Sequence, residues 1–151
     1  RRVMPTLVDT NVLLDLFTND PVWSDWSVAS LSAASSGGLA INDIVYAELS
    51  VRFPSADEID RALAEAAIEQ LPMPRQALFL AAKAFQKYRS AGGSRTGVLP
   101  DFFIGAHAFA TGMPLLTRDA GRYGSYFPGI ALVTPRAPRS RPAQSLPPAS
   151  M

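Results

Sequence analysis

The sequence predicts an α/β protein built on a central parallel sheet with helices on both faces. Three observations carry that expectation. Short apolar runs at Leu7-Val8, Leu39-Ala40-Ile41, Leu115-Leu116 and Ile130 to Val133 have the length of strands, not helices. The segments between them show helical periodicity, and strands separated by helices pair in parallel. Two of the runs lead into an acid, Asp9 and Asp119. A carboxylate at the end of a buried strand is costly unless something cationic meets it.

Taken in order, Pro5 to Asp9 reads as the first strand and Val12 to Phe17 as a short helix, closed by the turn signal Asn19-Asp20-Pro21. Ser24 is placed to cap a helix through Ala34, which Ser35-Ser36-Gly37-Gly38 ends. Leu39 to Asn42 is a second strand, and Asp43 is expected to cap the helix from Val45 to Arg52. After Phe53-Pro54, Ser55-x-x-Glu58 matches a capping box, opening a helix expected to run through Glu69. Leu71-Pro72-Met73-Pro74 is a connector with some strand character. Arg75 to Tyr88 is helical through Leu78, Ala81, Ala82 and Phe85, and Ser90 to Gly97 is a glycine-rich loop containing Arg95. Pro100 suits the first turn of a helix that runs to Thr111 and stops at Gly112. Met113 to Thr117 is a third strand and Ile130 to Val133 the last. One domain is expected over residues 1–135, followed by a Pro/Ser/Arg-rich tail, 136–151, expected to be disordered.

A chain of 151 residues suffices for one domain with a real core. Nothing in it approaches the roughly 18 unbroken apolar residues of a membrane span. Arg1-Arg2-Val3-Met4 leads into the acid-bearing stretch, not into a signal-peptide core. The absence of cysteine excludes disulfides and thiolate metal sites. The expectation is a cytoplasmic protein. Its net charge of +1 conceals an asymmetry, because Arg136, Arg139 and Arg141 lie in a tail without acids. The body is left at about −2 and shows no global basic face of the kind nucleic-acid binders carry.

Parallel strands put their carboxyl ends on one edge, where ligands bind in open α/β sheets. Asp9 and Asp119 lie there, Asp101 sits in the first turn of its helix, and Glu48 lies on the helix after the second strand. All four can approach one place. Clustered carboxylates repel, and a hard divalent cation relieves the repulsion. Mg²⁺ and Mn²⁺ take such oxygen ligands, and can activate water and neutralise charge on a phosphate. Singly, each acid has an ordinary role. Asp9 could cap a helix, Glu48 could be solvated, Asp101 could complement a helix dipole, and Asp119 could start a turn.

Their order and spacing decide. Leu7-Val8-Asp9-Thr10-Asn11-Val12-Leu13-Leu14 resembles the opening motif of the PIN-domain nucleases. Ala47-Glu48-Leu49 is similar to the family's second motif, Leu99-Pro100-Asp101 through Ala108 to the third, and Leu115-Leu116-Thr117-Arg118-Asp119 to the fourth. The compact form resembles the VapC-type toxins of toxin–antitoxin pairs. The resemblance implies a PIN-like three-layer α/β/α sandwich. It makes Asp9, Glu48, Asp101 and Asp119 a catalytic quartet binding Mg²⁺ or Mn²⁺, with Asn11 and Thr117 in support. It further implies endonucleolytic hydrolysis of RNA, a cognate antitoxin as partner, and a homodimer.

Asp15 is expected at the helix surface or behind the site, and neither it nor Asp43 as a ligand. His107 stands about 120° around its helix from Asp101, so it is expected to pack or lie near the surface, on the side of Phe103. Arg95 and Arg118, with Arg89 and Arg122, are candidate RNA contacts, and Phe17, Trp23, Trp26 and Phe53 could line an antitoxin groove. Two other classes compete. A phosphoryl-transfer enzyme with a strand-end aspartate needs a nearby lysine, and the only lysines, Lys83 and Lys87, share one helix away from any strand end. A non-catalytic PIN-like module would bind RNA or protein without a metal.

Overall fold

The computed structural model describes residues 4–95 and 97–135. Its centre is β1 (Thr6–Val8), buried along its whole length. It is followed by α1 (Thr10–Thr18), α2 (Ser24–Ala34), a 3₁₀ turn at Ser35–Gly37, β2 (Leu39–Ile41), α3 (Asp43–Ser50) and α4 (Ala56–Glu65). Then come β3 (Ile68–Gln70), α5 (Arg75–Ser90), α6 (Leu99–Thr111), β4 (Leu115–Leu116), α7 (Ala120–Tyr126) and β5 (Leu132–Val133).

The five strands form one parallel sheet in the order β3-β2-β1-β4-β5. Thr6 pairs with Leu39 on one side, and Leu7 and Val8 pair with Leu115 and Leu116 on the other. From β1 the chain builds outward to β3, then crosses back to place β4 on the opposite flank. Right-handed crossovers with that reversal put the earlier and later helices on opposite faces of the sheet. The reversal lies between β1 and β4, so their carboxyl ends diverge into a crevice. The expected fold class is the observed one. Among the described residues no helix is long and apolar enough to cross a membrane.

Three local expectations need correcting. The helix expected to reach Glu69 ends at Glu65; Ala67 takes a left-handed φ of 56° and turns the chain into β3. Only Ile68 of that edge strand is buried, so it lacks the apolar run that marked the other strands. Leu71 then donates its N–H to the Ile41 carbonyl at 2.8 Å, the strand character expected at the connector. The helix α7 was not anticipated, because Gly121 and Gly124 dilute its helical pattern. Asn42, not Asp43, caps α3, its side chain accepting from the Val45 N–H at 3.0 Å. The tail from Arg136 lies outside the described residues.

The main core joins Leu7, Val8, Leu13, Ile41, Leu49, Leu115 and Leu116 across the sheet. A second core, of Ala81, Val98, Phe102, Ala106 and Phe127, locks α5, α6 and the end of α7 together. Its tightest point is Gly105, where a Cβ would fall 2.6 Å from the Phe127 ring and 3.0 Å from Tyr123. This close approach brings α7 against α6, and with it the residues that face Asp101.

Candidate active site

The crevice between β1 and β4 is built from Asp9 outward. Asp9 follows the last residue of β1 and donates its N–H to the Leu116 carbonyl, so β4 fixes its backbone. Extended φ and ψ make it the N-cap of α1, with Oδ1 accepting from the Thr10 N–H at 2.8 Å. Oδ2 accepts from the Thr117 hydroxyl at 2.7 Å, and more loosely from Asn11 Nδ2 at 3.4 Å. Thr117 is fully buried after β4, and its Oγ1 in turn accepts from the Asp119 N–H at 3.0 Å. Thr117 thus supports both strand-end acids. Asn11 makes only long contacts, its Oδ1 accepting from the Arg118 N–H at 3.4 Å.

The other acids reach the same crevice. From α3, Glu48 Oε1 accepts from the Thr10 hydroxyl at 2.6 Å, one residue from Asp9. From the first turn of α6, Asp101 Oδ1 accepts from the Tyr123 hydroxyl at 3.3 Å. That hydroxyl also faces Asp9, and Tyr123 is completely buried. Asp119 caps α7, its Oδ1 accepting from the Arg122 N–H at 3.2 Å. The Arg122 side chain then bridges two acids, with Nη1 donating to Asp101 Oδ2 and Nε standing 3.1 Å from Asp119 Oδ2. All four acids of the sequence-derived quartet therefore join one network, linked by Thr10, Thr117, Tyr123 and Arg122.

The electrostatics single out Asp9. Burial pushes its carboxyl up to about 6; the Thr117 hydrogen bond pulls it back, and the Asp101 charge pushes it further. Asp101 is also raised, by burial first, against the opposing pull of Arg122 and Tyr123. Burial and the two flanking carboxylates hold the Tyr123 hydroxyl well above its usual range, so it remains a donor. Among the described residues Asp9 has no salt-bridge partner, whereas Asp101 and Asp119 share Arg122. Also among the described residues, no three acidic or histidine side chains form a ready-made metal cage. The donors are nonetheless hard oxygens, and a 5 % exposed carboxylate lacking a cation is a fit for Mg²⁺ or Mn²⁺.

The remaining candidates fall outside this network. Asp15 is buried, not at the surface: Oδ2 accepts from the Ser27 hydroxyl at 2.7 Å and Oδ1 from Arg118 Nη2 at 3.2 Å. Arg118 Nε lies 2.9 Å from Asp15 Oδ2 but off the hydrogen-bond axis, and the guanidinium lies over the Trp23 ring at 4.9 Å. Arg118 is thereby held by Asp15 and Trp23, while the exposed Arg95 donates its backbone N–H to the Tyr88 hydroxyl at 3.0 Å. His107 packs in the interior, the first of the two placements expected. Its Nδ1 lies 3.1 Å from Asn42 Nδ2, so the amide donates to an unprotonated Nδ1, and burial lowers the ring's pKa. Asp43 is exposed and accepts from Gln70 Nε2 at 2.6 Å. Phe17 and Phe53 pack edge to face with centroids 5.6 Å apart, all four of the singled-out aromatics being half-buried.

Sequence reasoning missed Thr10 and Tyr123, and it took Arg122 only as a phosphate contact. The signal was present in Asp119-x-x-Arg122-Tyr123, since residues three and four along a helix return to the face of its cap.

The fold has known counterparts. The PIN domain family model matches residues 6–123, and the chain belongs to the PIN domain family. No curated protein sequence matches it significantly. Solved structures share the fold. A chain of VapBC2 from Rickettsia felis, bound to a DNA fragment from its promoter, is 19% identical with a TM-score of 0.68, covering 88% of this chain and 100% of its own. VapBC-1 from nontypeable Haemophilus influenzae is 20% identical with a TM-score of 0.64, covering 87% and 98%. A toxin–antitoxin complex from Klebsiella pneumoniae is 25% identical with a TM-score of 0.60, also covering 87% and 98%.

Proposed function

We propose that this PIN-domain chain is a metal-dependent endoribonuclease acting in the cytoplasm as the toxin of a toxin–antitoxin pair. One observation carries the reading: Asp9, a buried acid with no salt-bridge partner among the described residues, shares the sheet's switch point with Asp101, Glu48 and Asp119. Asp9 and Asp101 would hold Mg²⁺ or Mn²⁺, with Glu48 and Asp119 completing the oxygen donors. Such an ion supplies charge neutralisation at a phosphodiester and acidifies a water for in-line attack. Thr117 fixes Asp9 through its 2.7 Å bond, and Tyr123 spaces Asp9 from Asp101. Thr10 ties Glu48 to the start of α1.

The partners belonging to this reading are RNA, a cognate antitoxin and a second copy of the chain. The antitoxin is supported by the shared fold with chains of toxin–antitoxin complexes. It is also supported by a cleft between α1 and α4 lined by Leu16, Phe17, Ala62 and Ala66 with Glu65 among them, suited to an amphipathic segment.

The test incubates RNA with the purified protein in Mg²⁺ or Mn²⁺ and in EDTA, beside Asp101→Ala and Asp9→Asn at equal folded concentration. Metal-dependent fragments that weaken at least about 100-fold in each variant are expected. Full cleavage in EDTA, or in both variants, would sink the reading.

A further inference from the structure

The arginine inside the acidic crevice has a definite origin. Asp119 caps α7 and accepts the Arg122 N–H at 3.2 Å, so the first turn of that helix returns the Arg122 side chain to its own cap. Gly105 lets α7 close against α6, which brings the same guanidinium to Asp101. One cation therefore binds two acids on different elements through two different edges, Nη1 and Nε. Guanidinium edges meet carboxylates through the same oxygen lone pairs that a divalent cation would take.

The surroundings show that this pairing is not a sealed structural ion pair. Arg122 is 29% exposed, Asp119 33% and Asp101 14%, so water reaches the arginine and Asp119 and, to a lesser degree, Asp101. A water-exposed pair such as Arg122 with Asp119 contributes little net stability. The contrast is in the acid: Asp15 is 3% exposed, although its partner Arg118, packed on Trp23, is itself 28% exposed. Asp15 is sealed into the fold, whereas both acids held by Arg122 keep some exposure to water.

We infer that Arg122 is the resident cation of this acidic centre. It exchanges with a divalent cation for Asp101 and Asp119, and so sets the metal affinity while keeping the acids assembled without metal. The inference rests on the metal-dependent reading above. It fixes the sign of an effect that a purely structural role would give the opposite way. A scaffold arginine, once removed, lets the acids splay and weakens metal binding. A competing cation, once removed, leaves two carboxylates uncompensated and strengthens it. Displaced from the acids, the guanidinium remains beside the crevice, where its planar fork suits a phosphate.

The test is calorimetric titration of Mn²⁺ into the full chain at pH 7.5 and low salt, comparing wild type, Arg122→Gln and Arg122→Lys. Removing a unit charge this close to a half-exposed site corresponds to about a tenfold tightening or more, expected for Arg122→Gln. Arg122→Lys keeps the charge but loses the two-edged bridge, and is expected to bind about threefold more tightly than wild type. In EDTA the melting temperature of Arg122→Gln is expected below wild type, with the gap closing at saturating Mn²⁺. Equal or weaker Mn²⁺ binding by a folded Arg122→Gln overturns the inference. If that variant does not fold, equal or weaker binding by Arg122→Lys overturns it instead. Absence of Mn²⁺ binding in all three proteins would overturn the metal reading itself, and this inference with it.

Discussion

Replacing Asp9 by Asn is expected to stabilise the metal-free protein while disabling it. The native carboxyl is raised from 3.8 to about 6, mainly by burial. Between those two values the native state holds a proton that the unfolded chain has released. Wild-type stability therefore falls as pH rises through the window, and the loss is complete above about pH 6. A shift of about two units corresponds to about 3 kcal/mol. An Asn at this position keeps an acceptor for the Thr10 N–H but turns its amide toward Thr117, weakening one hydrogen bond at a cost of about 1 kcal/mol. The net gain at pH 7.5 is about 2 kcal/mol, or about 5–10 °C in melting temperature. The assay is thermal unfolding of both proteins in EDTA at pH 4, 5, 6 and 7.5. The advantage of Asp9→Asn should be full at pH 7.5 and gone near pH 4. A pH-independent difference, or a variant less stable throughout, would refute the claim that Asp9 sits desolvated without a cation.

Other positions give sharper local tests. Thr117→Val removes the hydroxyl that donates to Asp9 and lowers its pKa. The acid limb of the pH–rate profile should move up by about one unit, and an unmoved limb would deny Thr117 that role. Gly105→Ala would put a methyl against Phe127 and Tyr123; a loss of about 1–3 kcal/mol in denaturant unfolding is expected, with cleavage falling further than stability explains. Asp15→Ala strands Arg118 beside Ser27 and Trp23. It should cost about 2–4 kcal/mol in unfolding free energy, since one partner of the pair is fully enclosed, while leaving Mn²⁺ affinity within about twofold.

The elements legible in the sequence were those whose burial leaves a pattern. The helix α2 ends at Ala34 as expected, although Ser24 is its first residue and not its cap, Trp23 standing there without a side-chain bond. The strands β1 and β4 lie within those expected at Pro5 to Asp9 and Met113 to Thr117. The strand β3 was invisible because an edge strand with Glu69 and Gln70 exposed has nothing apolar to repeat. The helix α7 was invisible because it is held by its Asp119 cap and by the buried Tyr123 and Phe127, not by helix-forming residues. In the site, Asp9, Asp101 and Asp119 stand at strand ends or helix starts, whereas Glu48 lies within α3, and the resemblance to the family's motifs singled out all four. Their neutral and cationic partners were not legible as such, because Thr10, Tyr123 and Arg122 gain their roles only when α3, α6 and α7 meet β1. Asp15, expected at the helix surface or behind the site, proves buried. Nothing local to α1 shows that Ser27 and Arg118 enclose it.

Anomalous scattering from crystals soaked in Mn²⁺ would locate the divalent cation proposed between β1 and β4. A peak is expected in contact with both the Asp9 and Asp101 carboxylates, with the Arg122 guanidinium moved off Asp101. A peak elsewhere on the molecule, or none at saturating Mn²⁺ with Arg122 still bridging Asp101 and Asp119, would contradict that proposal.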